Sequence, residues 1–78
     1  MRSLALRPIA NNQNELAFAK GYIVFFSYST PVAAFVPGEG YIKTDVFYST
    51  TTSKHINKWT EKRATVVPQI VIDTLLAF

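Results

Sequence analysis

The chain has no cysteine, one histidine, one tryptophan and only three glycines in 78 residues. Without cysteine no disulfide can form, and one histidine without a thiolate partner gives no basis for a structural zinc site. No metal and no cofactor are expected. Carboxylates are scarce too: five against eight Lys and Arg leave a net charge of +3 and a pI near 9.5. That balance permits nucleic acid or an acidic protein as partner and requires neither. No apolar run approaches the ~18 residues of a membrane span, so no membrane partner is expected. The opening M-R-S-L-A-L-R-P-I-A has two arginines and no acid. Arg7 and Pro8 interrupt its apolar part too early for a secretory signal, and it reads as an N-terminal strand, with an organelle transit peptide as the alternative. The lack of cysteine fits a reducing compartment.

What is present is apolar and aromatic. Hydrophobic residues make up 49% and aromatics 14% of the chain, far from a disordered composition. Residues 1–78 suffice for one small domain. A chain of this size buries a little over about 60% of its unfolded surface. Its stability must come from a tight aromatic and β-branched core or from oligomerisation, and a homodimer is plausible on that ground.

In order, Ser3–Ile9 reads as an extended segment in which Pro8 marks an edge strand or a strand end. Asn11–Asn14 is a polar turn. Glu15–Ala19 alternates as a strand, and Lys20-Gly21 is a hairpin turn. Tyr22–Tyr28, aromatic and β-branched with bulk on both faces, predicts a central strand. A turn at Ser29-Thr30-Pro31 leads to a strand over Val32–Val36, with Val32, Ala34 and Val36 on one face and Ala33 and Phe35 on the other. Pro37-Gly38-Glu39-Gly40 is a strong turn signal. Tyr41–Tyr48 predicts a further strand, with Ile42, Thr44, Val46 and Tyr48 on its buried face.

The hydroxyl run Ser49–Ser53 then supplies a helix N-cap, at Thr52 or Ser53. The helix is predicted from about Ser53 to Lys62, with Ile56 and Trp59 facing the core and Thr60 and Arg63 at the border of that stripe. Ala64–Val67 is extended, and Pro68 suits the first position of a second helix. The segment from Gln69 has both β-branched character and helical spacing at Val71/Leu75 and Ile72/Leu76. A C-terminal helix is adopted, with a strand as the alternative. The whole predicts an α+β fold: a three- to four-stranded antiparallel meander, one short helix packed on it, and a C-terminal helix (or strand).

No residue set suggests catalysis, so the chain reads as a non-enzyme. His55 has no second ligand for a metal, and Asp45 and Asp73, which could orient it, are distant in sequence. Lys20-Gly21-Tyr22 opens like an RNA-recognition signature but fails at Ile23 and Ser27. Gly38-Glu39-Gly40 is a turn and not a phosphate loop, since neither the lysine nor the helix follows. Folding leaves one feature unexplained. Lys54, Lys58 and Lys62 recur every fourth residue, where like charges cost a few tenths of a kcal/mol per pair (~0.2–0.5). With His55 and Asn57 they form the candidate surface for a protein partner or nucleic acid, against the plainer reading of a solvated helix face.

Three segments carry a resemblance: S-Y-S-T-P-V-A at Ser27–Ala33, Y-x-K-T-D at Tyr41–Asp45, and Y-S-x-T-T-S-K-H-I-N-K-W at Tyr48–Trp59. Together they resemble small proteins of unknown function from tailed bacteriophages and bacterial genomes. The resemblance covers about the middle half of the chain and is most specific at T-T-S-K-H-I-N-K-W. It implies a phage or prophage context, the cytoplasm of a bacterial host, and a role as an accessory or adaptor protein that binds a host or phage protein. It adds no catalytic residue. A small DNA- or RNA-binding protein that presents its basic helix on a sheet is the alternative.

Overall fold

The computed structural model describes residues 4–76. Six strands and two helices follow in the order β1 (Leu4–Ala10), β2 (Gln13–Phe18), β3 (Ile23–Ser27), β4 (Thr30–Val36), β5 (Gly40–Thr44), α1 (Thr50–Thr60), β6 (Thr65–Val67) and α2 (Gln69–Leu75). The fold is α+β, as expected, but its sheet has six strands in the order β1-β2-β3-β4-β5-β6, not three or four. The first five form an antiparallel meander, and β6 joins β5 in parallel after the α1 crossover. Parallel neighbours need such a crossover, and the three-residue β6 was too short to show a period of its own.

Two cross-strand rows define the faces. Leu6, Leu16, Val24, Ala34, Ile42 and Thr65 stand opposite one another across all six strands, as do Arg7, Glu15, Phe25, Ala33, Lys43 and Val66. Partners in register share a face. The first row faces α2, and its core joins Phe18, Val24, Ala34 and Ile42 to the fully buried Ile72. The second faces α1, where Phe25, Val32 and Ala33 pack on Ile56 and Trp59. The helices therefore lie on opposite faces, and β3 is an interior strand.

Several boundaries differ from the expectations. The β1 edge strand extends one residue past Ile9; Ser3 lies outside the described residues, as do Ala77 and Phe78 beyond α2. The first turn holds only Asn11 and Asn12, and Gln13 and Asn14 belong to β2. The strand expected to reach Tyr28 ends at Ser27: Tyr28 has φ 59° and begins the turn, while Thr30 and Pro31 belong to β4. Val32 does not share a face with Ala34 and Val36. The register slips between Phe25 and Phe26, whose partners are Ala33 and Pro31, so Val32 is the extra residue of a bulge and joins Ala33 on the α1 side.

The strand expected over Tyr41–Tyr48 stops at Thr44, whose Oγ1 accepts the N–H of Val46 at 3.1 Å and turns the chain away. Ile42 and Thr44 are buried, but Val46, Phe47 and Tyr48 are exposed. The helix starts earlier than predicted. Ser49, and neither Thr52 nor Ser53, is the N-cap, its Oγ accepting the N–H of Thr52 at 3.0 Å. It also ends earlier, at Thr60, which is fully buried and not at the border of the stripe. Its Oγ1 donates to the Ile56 carbonyl at 2.7 Å. Glu61 and Lys62 both adopt left-handed conformations, φ 55° and 59°. The Lys62 N–H reaches the Asn57 carbonyl at 3.1 Å and the Glu61 N–H that of Lys58 at 3.4 Å, the paired closure of a Schellman motif. The C-terminal segment is helical, as adopted, with Pro68 at its N-cap.

Candidate functional site

The five residues singled out from the sequence lie on or just beyond α1, and the structure separates them into four groups. At 100° per residue, Thr52, Ile56 and Thr60 fall on the buried side, and Lys54 and Lys58 point away from the sheet. Both lysines are exposed. Among the described residues neither has a carboxylate within ion-pair distance; the ion pairs are Arg7–Glu15 and Arg63–Glu61. Lys62 is not on the helix row. The chain has already reversed at Glu61, so the expected three-lysine ridge is a pair, with Lys62 and Arg63 on the exit loop.

His55 turns to the flank of α1 that faces β3. Its Nδ1 lies 2.9 Å from Ser27 Oγ, which lies 3.0 Å from Thr52 Oγ1. With Nδ1 unprotonated, Ser27 donates to the ring and accepts from Thr52; with Nδ1 protonated, the direction reverses. Ser27 is only 2% exposed. Among the described residues this serine and histidine have no carboxylate bonded to the imidazole. Their bond ties α1 to the end of β3. The ring also stands 6.1 Å from that of Tyr28.

Asn57 turns to the opposite flank. With Ser53 it walls an open cleft of about 290 Å³, whose other side is Lys43, Asp45, Val46 and Phe47 from the end of β5 and the loop after it. Phe47 is 73% exposed. On the helical wheel Lys54 is the next position outward from Ser53 and Asn57. The outer surface of α1 and the Asp45–Tyr48 loop thus form one area with unpaired ammonium groups, a bare aromatic ring, an amide and a carboxylate. Sequence reasoning missed Phe47 because the alternation of Tyr41–Tyr48 continues past the true end of the strand.

A second surface, on the other face of the sheet, was also missed. α2 packs on β4 and β5, and Leu6, Asn14, Leu16, Phe26, Tyr28 and Ser29 line an apolar groove of about 360 Å³ over β1–β3. Tyr28 is 51% exposed there, in a conformation costly for a bulky residue. Its N–H donates to the Asn12 carbonyl at 2.7 Å, which holds the turn. The serine and proline around Tyr28 signalled a turn, but the aromatic run into Tyr28 read as strand.

Among the described residues no three His, Asp or Glu side chains come together as a metal site, and no helix is long and apolar enough to cross a membrane.

Residues 4–74 match the model described as "Family of unknown function (DUF8033)". The chain belongs to this family. The DUF8033 match spans every element of the sheet, all of α1 and the groove, and its description names no activity, ligand or partner. No curated protein and no solved structure matches the chain.

Proposed function

We propose that this DUF8033 protein is a non-enzymatic accessory or adaptor protein of phage or prophage type, working in the cytoplasm of a bacterial host. It binds an acidic surface of a host or phage protein through the outer face of α1 and the loop after β5. An anti-defence or regulatory role fits a protein that acts by occupying another's surface.

The observation that carries this reading is the pairing of Lys54 and Lys58, both without a carboxylate partner among the described residues, with the exposed ring of Phe47 on the adjoining loop. Cations give on-rate and orientation toward an acidic partner, and a bare aromatic supplies a buried anchor. Nucleic acid is the second reading, since the same lysines can neutralise phosphates. The mixed surface favours protein: Asp45 lines the cleft, Glu61 follows Lys58, and Lys62 has left the row, so the basic face is not continuous.

The test is affinity capture with tagged protein from nuclease-treated lysate of infected or lysogenic cells. Wild type is compared with the double variant Lys54→Glu, Lys58→Glu and with Phe47→Ala. One protein species retained by wild type and lost with both variants is the expected result. Recovery of nucleic acid alone, before nuclease treatment, would sink the protein reading. A gel shift that weakens steeply with salt and disappears in the charge-reversed variant would establish the second.

A further inference from the structure

The face of the sheet away from α1 is only half covered. A helix is about 10 Å across and spans roughly two strands at their ~4.8 Å spacing. α2 meets β4 and β5, and the near part of β2 and β3 is buried with it at Phe18 and Val24; farther out Leu6 and Tyr28 are exposed and Leu16 and Phe26 only half-buried. That open half is the apolar groove of about 360 Å³, lined by Leu6, Leu16, Phe26 and Tyr28 with Asn14 and Ser29 at its edge. No charged side chain lines it.

The outer side of α2 carries an apolar strip, bordered by the exposed Asp73, whose carboxylate accepts from Gln69 Nε2 at 2.9 Å. Ile72 is fully buried against the sheet, while Ile70, two positions earlier and on the far side of the wheel, is 67% exposed and Val71 40%. Thr74 shares that outward side, and its hydroxyl donates back to the Ile70 carbonyl at 2.7 Å, so its polar atom is already occupied. One face of the molecule therefore carries an apolar ridge beside an apolar groove. A ridge and a groove on the same surface are self-complementary under a two-fold axis.

We propose that a second copy of this chain covers the groove: the protein forms an isologous dimer in which α2 of each copy lies on β1–β3 of the other. The two α2 helices sit side by side between two sheets, Ile70 of each packs on Leu6 of the other, and both α1 faces point outward. The groove itself presents no charged side chain to a second copy, and Asp73 at the border of the α2 strip is engaged by Gln69 of its own helix. With Leu6, Tyr28, Ile70 and Val71 exposed and Leu16 and Phe26 half-buried, the groove and the α2 strip bury on the order of 500 Å² per copy, or ~1,000 Å² in all, the lower bound for specific association. The dimer is accordingly weak and depends on concentration.

The experiment is sedimentation equilibrium of the whole chain from ~10 µM to ~1 mM, the range for an interface of this size. The mass should rise from 8.8 kDa toward twice that value. Ile70→Glu and Leu6→Lys change exposed positions, and each should hold the protein at monomer mass with the circular dichroism melt unchanged. An equimolar mixture of the two variants should recover the dimer. One contact then pairs the new glutamate with the new lysine, and the other keeps the native Ile70 on Leu6. A wild type that stays monomeric throughout, a dimer that persists in either folded variant, or a mixture of the two that stays monomeric would each overturn the proposal. None of these outcomes depends on the partner of the α1 face.

Discussion

The indole Nε1 of Trp59 donates to Glu15 Oε2 at 3.0 Å, joining α1 to β2 across 44 residues of sequence. Arg7 on β1 approaches the other carboxylate oxygen at 3.5 Å. The indole stacks on Phe25 with centroids 4.9 Å apart and meets the edge of Tyr41 at 5.5 Å. The only tryptophan thus fixes the rotation of α1 about its axis, and with it the direction in which Lys54 and Lys58 point.

Replacing Trp59 by Phe keeps the stack and removes the donor. Hydrogen bonds to charged groups are worth about 1.5–3 kcal/mol, so Trp59→Phe should cost about 2 kcal/mol in urea unfolding. Glu15→Gln keeps an acceptor and should cost about 1 kcal/mol. A loss for Trp59→Phe with none for Glu15→Gln would show that ring packing, not the bond, sets the energy.

The helix start discriminates between hydroxyls that look alike in sequence. Ser49→Ala should cost about 1 kcal/mol, the usual worth of an N-cap, and Ser53→Ala less than about 0.5 kcal/mol. Urea midpoints of the two variants decide this. The reverse order would return the cap to Ser53.

At the other end of α1, Glu61 occupies the left-handed position that glycine fills in most Schellman motifs, at φ 55°. Glu61→Gly should stabilise the protein by about 0.5–1 kcal/mol, because a left-handed conformation costs an L-residue about 1–2 kcal/mol and glycine's extra unfolded-state entropy returns part of that. A lower unfolding midpoint for the glycine variant would contradict the assignment.

The buried hydroxyls offer a further check on packing. Ser27→Ala leaves Thr52 and His55 without their shared partner, and an unpaired buried group costs about 1–3 kcal/mol. His55→Gln can keep a bond to Ser27 from a half-buried position and should cost less. Thermal melts of both variants at neutral pH test the order.

Much of this was legible in the residues. Tyr22–Tyr28 read as an interior strand because bulk alternates on both its faces, and Ile56 and Trp59 read as the buried side of a helix. The order of strand, hydroxyl run, helix and extended segment also matched. What failed was local. The bulge at Val32 leaves no mark in an unbroken apolar run. The end of β5 is set by a Thr44 side-chain bond that interrupts no pattern. The end of α1 is set by two non-glycine residues in a conformation that sequence gives no reason to expect. That last feature removed Lys62 from the proposed basic row. Helical spacing alone placed His55 and Asn57 next to the lysines, but the sheet draws them to opposite flanks. The groove and the outer side of α2 depend on how many strands one helix can cover, which was invisible until the six-stranded sheet was known.

We propose the lysine pair on α1, with Phe47, as the surface that meets an acidic protein. That assignment is tested most directly by comparing wild type with the Lys54→Glu, Lys58→Glu variant in affinity capture from nuclease-treated lysate at low and high salt. The expected result is one acidic protein partner that wild type retains at low salt, that is released as salt screens the lysines, and that the folded variant does not bind. Retention of the same partner by the charge-reversed variant would contradict it.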